Sequence, residues 1–174
     1  MRPFVSAAVC LLFSLPGVPQ TAVVNSASTA SLPSVKLTAS RGPREIEDLT
    51  RQKVLLDYAA AWRTLAAGLE QNRVDLLNDY FTGFAKDEFT RTIKEQAGTG
   101  IRRHYVDHGH KLEALFYSPD GGVMQLQDNV EYEEQIFDGA KLVHSETITA
   151  RYLVLMTPAA DRWMVRLLQD VPAS

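Results

Sequence analysis

Four groups of residues in this sequence have the types and spacing to do chemistry. The first is Asp128 with Tyr152, which stand opposite each other on the inward side if two neighbouring strands pair apolar face to apolar face. An inward carboxylate beside a phenol suits proton transfer, as general base and oxyanion donor. The same carboxylate can instead be a satisfied structural hydrogen bond, to Tyr152 or to a helix terminus. The second group, Glu134, His144 and Glu146, falls at the tip of the same hairpin. Facing carboxylates raise each other's pKa, and a neighbouring imidazole can share the proton. A hairpin that outruns its covering helices would leave all three solvated.

The third group is His104-Tyr105-Val106-Asp107-His108-Gly109-His110. If His104 and His108 share a helix face and His110 approaches from the next strand, three imidazoles of the kind zinc accepts come together. The spacing matches no ligand motif, and Arg102-Arg103 would oppose a cation. The expectation is an exposed helix-to-strand connection, with no metal and no cofactor. The fourth group is aromatic: Trp62, Tyr80, Phe84, Tyr132, Tyr152 and Trp163, which with Asp128 are the residues expected to line a pocket. As core, with Phe81, each would contribute roughly 2–3 kcal/mol of burial.

Other chemistry is absent from the pattern. Gly98-Thr99-Gly100 lacks the further glycine and preceding strand of a phosphate loop. The sole cysteine, Cys10, lies in an N-terminal apolar run. A net charge of -3 offers no basic face for nucleic acid.

Helices must come first to position these groups. Leu55, Tyr58, Ala59, Trp62, Leu65, Ala66 and Leu69 follow the helical rule, and Pro43, Glu45, Glu47 and Asp48 suit its entrance, predicting a helix over 44–70. After Gln71-Asn72 a second helix from Arg73 buries Val74, Leu76, Leu77, Tyr80 and Phe81. A third carries Phe84, Phe89 and Ile93 towards Gly98.

Strands follow. The first is predicted over Lys111 to Tyr117 and ends at the turn Ser118-Pro119-Asp120-Gly121-Gly122. Met124, Leu126, Val130, Tyr132 and Ile136 alternate along the second; Ile148, Ala150, Tyr152, Val154 and Met156 along the third; Trp163, Val165 and Leu167 along the fourth. Matching apolar faces sets Tyr132 opposite Ile148, Val130 opposite Ala150 and Leu126 opposite Val154. Extended, this register sets Glu134 opposite Glu146 and Ile136 opposite His144. It leaves Gly139-Ala140-Lys141 as a three-residue loop, since a two-residue connection would turn an apolar face to water. The outer face is polar except for Val123, Leu153 and Leu155, a modest surface on which two copies could pair as a homodimer.

The fold class expected is α+β, with N-terminal helices packed on the concave face of a curved four-stranded antiparallel sheet. This domain spans 44–174. Ahead of it, 1–22 has a basic Arg2, the apolar block Phe4 to Phe13 and a break at Leu15-Pro16-Gly17, which describe a signal peptide. The block is too short to span a membrane, and its compactness favours secretion or a periplasmic location over an organelle transit peptide. Residues 23–43, dominated by Ser, Thr, Ala and Pro, read as a disordered linker.

The Trp62-centred helix, the Leu76-Leu77 to Phe89 helices, and the strand segments Val130-Glu131-Tyr132-Glu133-Glu134, Thr149-Ala150-Arg151-Tyr152 and Arg162-Trp163-Met164-Val165 resemble the cystatin-like α+β cone of the nuclear-transport-factor-2-like superfamily. The pattern is most similar to the intermembrane-space domain of chloroplast-division J-domain-like proteins. The likeness covers about Arg44 to Val171, and a role in plastid division is not carried over. It implies a concave sheet pocket that binds a peptide or partner domain, or, in the enzymes of the superfamily, an isomerase, dehydratase or cyclase with an inward Asp and a Tyr or His. Two readings result. One is a non-catalytic binding or scaffold module for a protein or small apolar ligand. The other is a small pocket enzyme of the ketosteroid-isomerase type that uses Asp128 and Tyr152. A closed cavity of about 300 Å³ or more converging on Asp128 marks the enzyme. A filled or shallow cone marks the binding module.

Overall fold

The computed structural model describes residues 35–38 and 43–172; the expected signal peptide and most of the expected linker lie outside the described residues. Helix α1 runs Asp48–Gln71, later than the expected start at Arg44, because the chain is still extended at Glu47, its N-cap. It ends on Asn72 in the left-handed conformation, whose N–H donates to the Gly68 carbonyl. Its buried stripe, Val54, Tyr58, Ala61, Trp62, Leu65 and Leu69, has the predicted period. The segment after it is a short 3-10 turn, Val74–Asp79, rather than a full helix.

Helix α2, Gly83–Thr99, buries Ala85, Ile93 and Gln96 with Phe89 half covered. Phe84 sits one position off that stripe and is 72% exposed, which removes it from both the core and the pocket. Among the described residues, no helix is long and apolar enough to cross a membrane.

The sheet has the order β1-β2-β3-β4-β5. Strands β2 (Ile101–Tyr117), β3 (Met124–Asp138), β4 (Lys141–Pro158) and β5 (Trp163–Asp170) form the expected antiparallel meander. A fifth strand, β1 (Val35–Thr38), lies within the stretch expected to be linker and pairs in parallel with His110–Glu113 of β2. Strand β2 starts at Ile101 rather than Lys111, because Gly100 in the left-handed conformation ends α2 and turns the chain straight into the sheet. The histidine segment is therefore strand, not helix and connection.

The β3–β4 register is the predicted one, with Tyr132 opposite Ile148, Asp128 opposite Tyr152 and Glu134 opposite Glu146. The turn differs. Asp138 pairs with Lys141 across a two-residue connection, Gly139-Ala140, and the register shifts next to Ile136 and Phe137, where Val143 is the extra residue. The residue that keeps apolar faces together lies in the strand as a bulge instead of in the loop.

Helix α1 is tied to β5 through Asp57, which is 3% exposed. Its carboxylate accepts the Trp163 backbone N–H at 2.7 Å and Lys53 Nζ at 2.7 Å. Asp57→Ala should leave the Trp163 N–H buried and unsatisfied, costing about 1–3 kcal/mol. The expected result is a lower urea midpoint at unchanged slope, largely restored in Asp57→Asn, which keeps an acceptor. An unchanged midpoint in Asp57→Ala would show that this contact does not hold β5.

Candidate functional site

The polar centre of the fold is built by an irregularity in β2. In a regular strand, residues three apart face opposite sides. Here Asp107 pairs with Tyr132 and Gly109 with Glu131, leaving His108 as the extra residue of a bulge. Gly109 has φ of 140°, a backbone conformation that side chains disfavour, and its N–H donates to Asp107 Oδ1 at 2.8 Å. The bulge turns both Asp107 and His110 to the concave side.

His110, 2% exposed, then meets carboxylates with both ring nitrogens: Asp107 Oδ2 at 3.1 Å from Nε2 and Asp128 Oδ2 at 2.7 Å from Nδ1. Tyr58 donates its hydroxyl to the same Asp128 oxygen at 2.6 Å. Asp128 and Tyr58 are both fully buried. Burial works against the imidazolium, but the hydrogen bonds to Asp107 and Asp128 and their charges outweigh it and raise the His110 pKa to about 9. At neutral pH the ring is charged and donates from both nitrogens. Desolvation first, and the Asp128 charge second, hold the Tyr58 phenol far above its ordinary range. Trp62 closes the cluster, with its ring centroid 4.7 Å from that of His110.

Asp128 is thus inward and deep, as expected, but its partners are Tyr58 and His110 and not Tyr152. The Tyr152 hydroxyl faces that of Tyr132 at 3.4 Å. These two phenols lie nearer the mouth of the cone, where a cavity of about 190 Å³ is lined by Trp62, Leu65, Phe89, Tyr105, Tyr132, Tyr152 and Leu168, with Glu88 and Asp170. Asp128 is not in this lining. Desolvation is the largest cause raising the pKa of Tyr105, Tyr132 and Tyr152, so all three stay protonated at neutral pH. Such phenols donate hydrogen bonds and cannot serve as bases.

Of the other residues expected to line a pocket, Trp163 is buried elsewhere, its ring 6.2 Å from Tyr117, and Tyr80 lies beneath the Arg162 guanidinium at 5.4 Å. The hairpin-tip group separates. Glu134 turns towards Arg103 Nε at 3.7 Å, while Glu146 meets His144 at 3.4 Å in solvent. The histidine group diverges as well: His104 meets Glu70 at 3.2 Å, His108 meets Glu131 at 3.5 Å, and His110 points inward. Among the described residues, no group of three or more His, Cys, Asp or Glu side chains is placed to hold a metal ion. On the outer face, Leu155 stands between Gln125 and Leu167, with Phe116 beyond Gln125, so a glutamine interrupts the apolar row.

Sequence reasoning missed Tyr58, Asp107 and the inward role of His110, as well as Tyr105 and Phe89 in the cavity. The signals were available in part. Tyr58 lies one helical turn before Trp62 on the same face, and Asp107-His108-Gly109 is an Asp-x-Gly turn pattern inside a strand.

Stability should report the buried imidazolium directly. Its folded pKa of about 9 lies above the ordinary value of 6.5, so its contribution is fully present below about pH 6.5 and is lost as pH rises through 9. The shift corresponds to about 3 kcal/mol. Urea unfolding between pH 6.5 and 9 should show a decline of that order in the wild type and a much flatter profile in His110→Gln. Equal slopes in the two proteins would exclude a charged His110.

No protein-family model and no curated protein matches the sequence. Among solved structures, the intermembrane-space region of chloroplast protein ARC6 superimposes with a TM-score of 0.63 at 11% identity, over 75% of this chain and 100% of that one. A cystatin-like-fold protein of unknown function from Nostoc punctiforme aligns at a TM-score of 0.41 and 13% identity over 73% of this chain and 93% of its own. A protein described as a putative scytalone dehydratase from Novosphingobium aromaticivorans aligns at 0.42 and 11% over 70% and 89%. These last two are too distant to carry an argument. Helices α1 and α2 packed on an antiparallel meander, together with the ARC6 superposition, show that this chain has an α+β fold of the nuclear-transport-factor-2-like, cystatin-like kind.

Proposed function

We propose that this chain is an exported, non-catalytic binding domain whose ligand enters the aromatic cavity at the mouth of the cone. The observation that carries this reading is the sealing of Asp128. A general base must come within hydrogen-bond reach of the proton it removes. Asp128 is fully buried, its neighbours Tyr58 and His110 are buried with it, and it does not line the cavity. A ligand in this cavity meets Trp62, three protonated phenols and, at the edge, Glu88 and Asp170, but it does not meet Asp128. The enzyme reading keeps a suitable set of groups in Tyr58, His110 and Asp128 but lacks access to them.

The His110 Nδ1–H proton tests this. Sealed against Asp128, it should persist at neutral pH as a slowly exchanging downfield NMR signal. Exchange as fast as that of an exposed histidine such as His144 would overturn the proposal. So would turnover of an enolisable ketone that is abolished in a folded Asp128→Asn variant.

Export is supported by the acid-free start and the apolar block Phe4 to Phe13. Expression of the full chain in the native host should yield an extracytoplasmic protein shortened by about 22 residues, consistent with signal-peptide length, as read by intact mass. An uncleaved chain in the cytoplasm would overturn it.

A further inference from the structure

The cavity at the cone mouth has a composition that names its ligand. Five of its lining residues are aromatic: Trp62, Phe89, Tyr105, Tyr132 and Tyr152. Trp62 is 5.9 Å, centroid to centroid, from both Tyr132 and Tyr152 at tilts of 50° and 55°, and Tyr105 is 4.9 Å from Tyr132 at 41°. These rings contact one another along the wall of the cavity. The ionisable lining residues other than the phenols are Glu88 and Asp170; no Lys, Arg or His lines it.

Resting on the reading of this cavity as the binding site, we propose that it receives an organic ammonium group, held by ring faces within and by carboxylates at its edge. Aromatic faces attract cations, most strongly when water is excluded, and are the usual means of holding alkylated ammonium groups. A neutral apolar ligand would gain nothing from Glu88 and Asp170, and an anion would be repelled by both. Glu88 has its nearest cation, Arg91, only at 4.0 Å on an exposed helix face, and Asp170 makes no ion pair among the described residues. The Asp170 charge also reaches the cavity wall, where it contributes to the raised pKa of Tyr132 and Tyr152.

The phenols favour an alkylated head over a bare one. A primary ammonium is strongly hydrated and gives up more on entering a lining made mainly of ring faces than an alkylated one does. A trimethylammonium group is weakly hydrated and needs only the ring faces. The small volume sets the extent of the ligand: a head group or single side chain enters and the remainder stays outside.

Choline and the uncharged alcohol in which a tert-butyl group replaces its trimethylammonium have the same shape and differ in charge. In NMR titrations followed at the Trp62 indole N–H, choline should bind at least about tenfold more tightly than the alcohol. Asp170→Asn should weaken choline severalfold and leave the alcohol unchanged. Equal binding of the two compounds would overturn the ammonium assignment while leaving the cavity as a binding site. No shift with either, in a protein whose spectrum shows it folded, would overturn the cavity as a site and the proposed function with it. A peptide bearing trimethyllysine distinguishes the source: tighter than choline, the head group belongs to a peptide; weaker, to a free small molecule.

Discussion

A carboxylate with no access to water constrains everything around it. Removing Asp128 from solvent costs several kcal/mol unless charge and hydrogen bonds replace the lost hydration. Here the replacement is the His110 imidazolium at 2.7 Å and the Tyr58 hydroxyl at 2.6 Å, both on one oxygen. Each partner comes from a different element, so the bond set fixes how those elements meet. Tyr58 requires α1 to lie across β3 at one rotation about its axis. His110 requires β2 to carry its bulge, and Asp107 both closes that bulge and takes the second ring nitrogen. Shifting any of the three leaves a buried charge without its counterpart.

That arrangement separates the molecule into a closed base and an open mouth. Asp128, His110 and Tyr58 have the chemical character of a catalytic set and the placement of a structural one. Trp62 stands between the two regions, against the imidazolium at 4.7 Å and also in the lining of the cavity. Beyond it lie phenols that burial keeps protonated and the carboxylates of Glu88 and Asp170. Among the described residues, Trp62 is thus the one side chain shared by the buried charge cluster and the cavity wall.

The meander was legible because strand alternation has a period of two and a one-residue slip would wet a whole face. That rule alone sets Asp128 opposite Tyr152 and Glu134 opposite Glu146, as they stand in the sheet. It failed where an extra residue could be accommodated in more than one place. The bulge at Val143 and the loop expected over Gly139-Ala140-Lys141 satisfy the same apolar matching, and local sequence does not choose between them. The start of β2 was hidden for a related reason. Arg102, Arg103 and His104 are only half buried, so no alternation marks them as strand. Phe84 misled in the other direction, since an aromatic residue next to a buried stripe reads as core until the helix phase is known.

By itself the sequence determined which residues would face inward along β3 and β4, that α1 would cover them with Trp62 at its centre, and that the acidic residues of the hairpin would stand in facing positions. All of these follow from periodicity, a property carried along one segment at a time. Only the tertiary structure decided that Asp128 would answer to Tyr58 and His110 in place of Tyr152, that Glu134 and Glu146 would part, and that three histidines would diverge. These depend on a backbone irregularity and on the rotation of a helix over a sheet. Pairing between charges is set by distance in space, and distance across elements is not written in the spacing of residues along the chain.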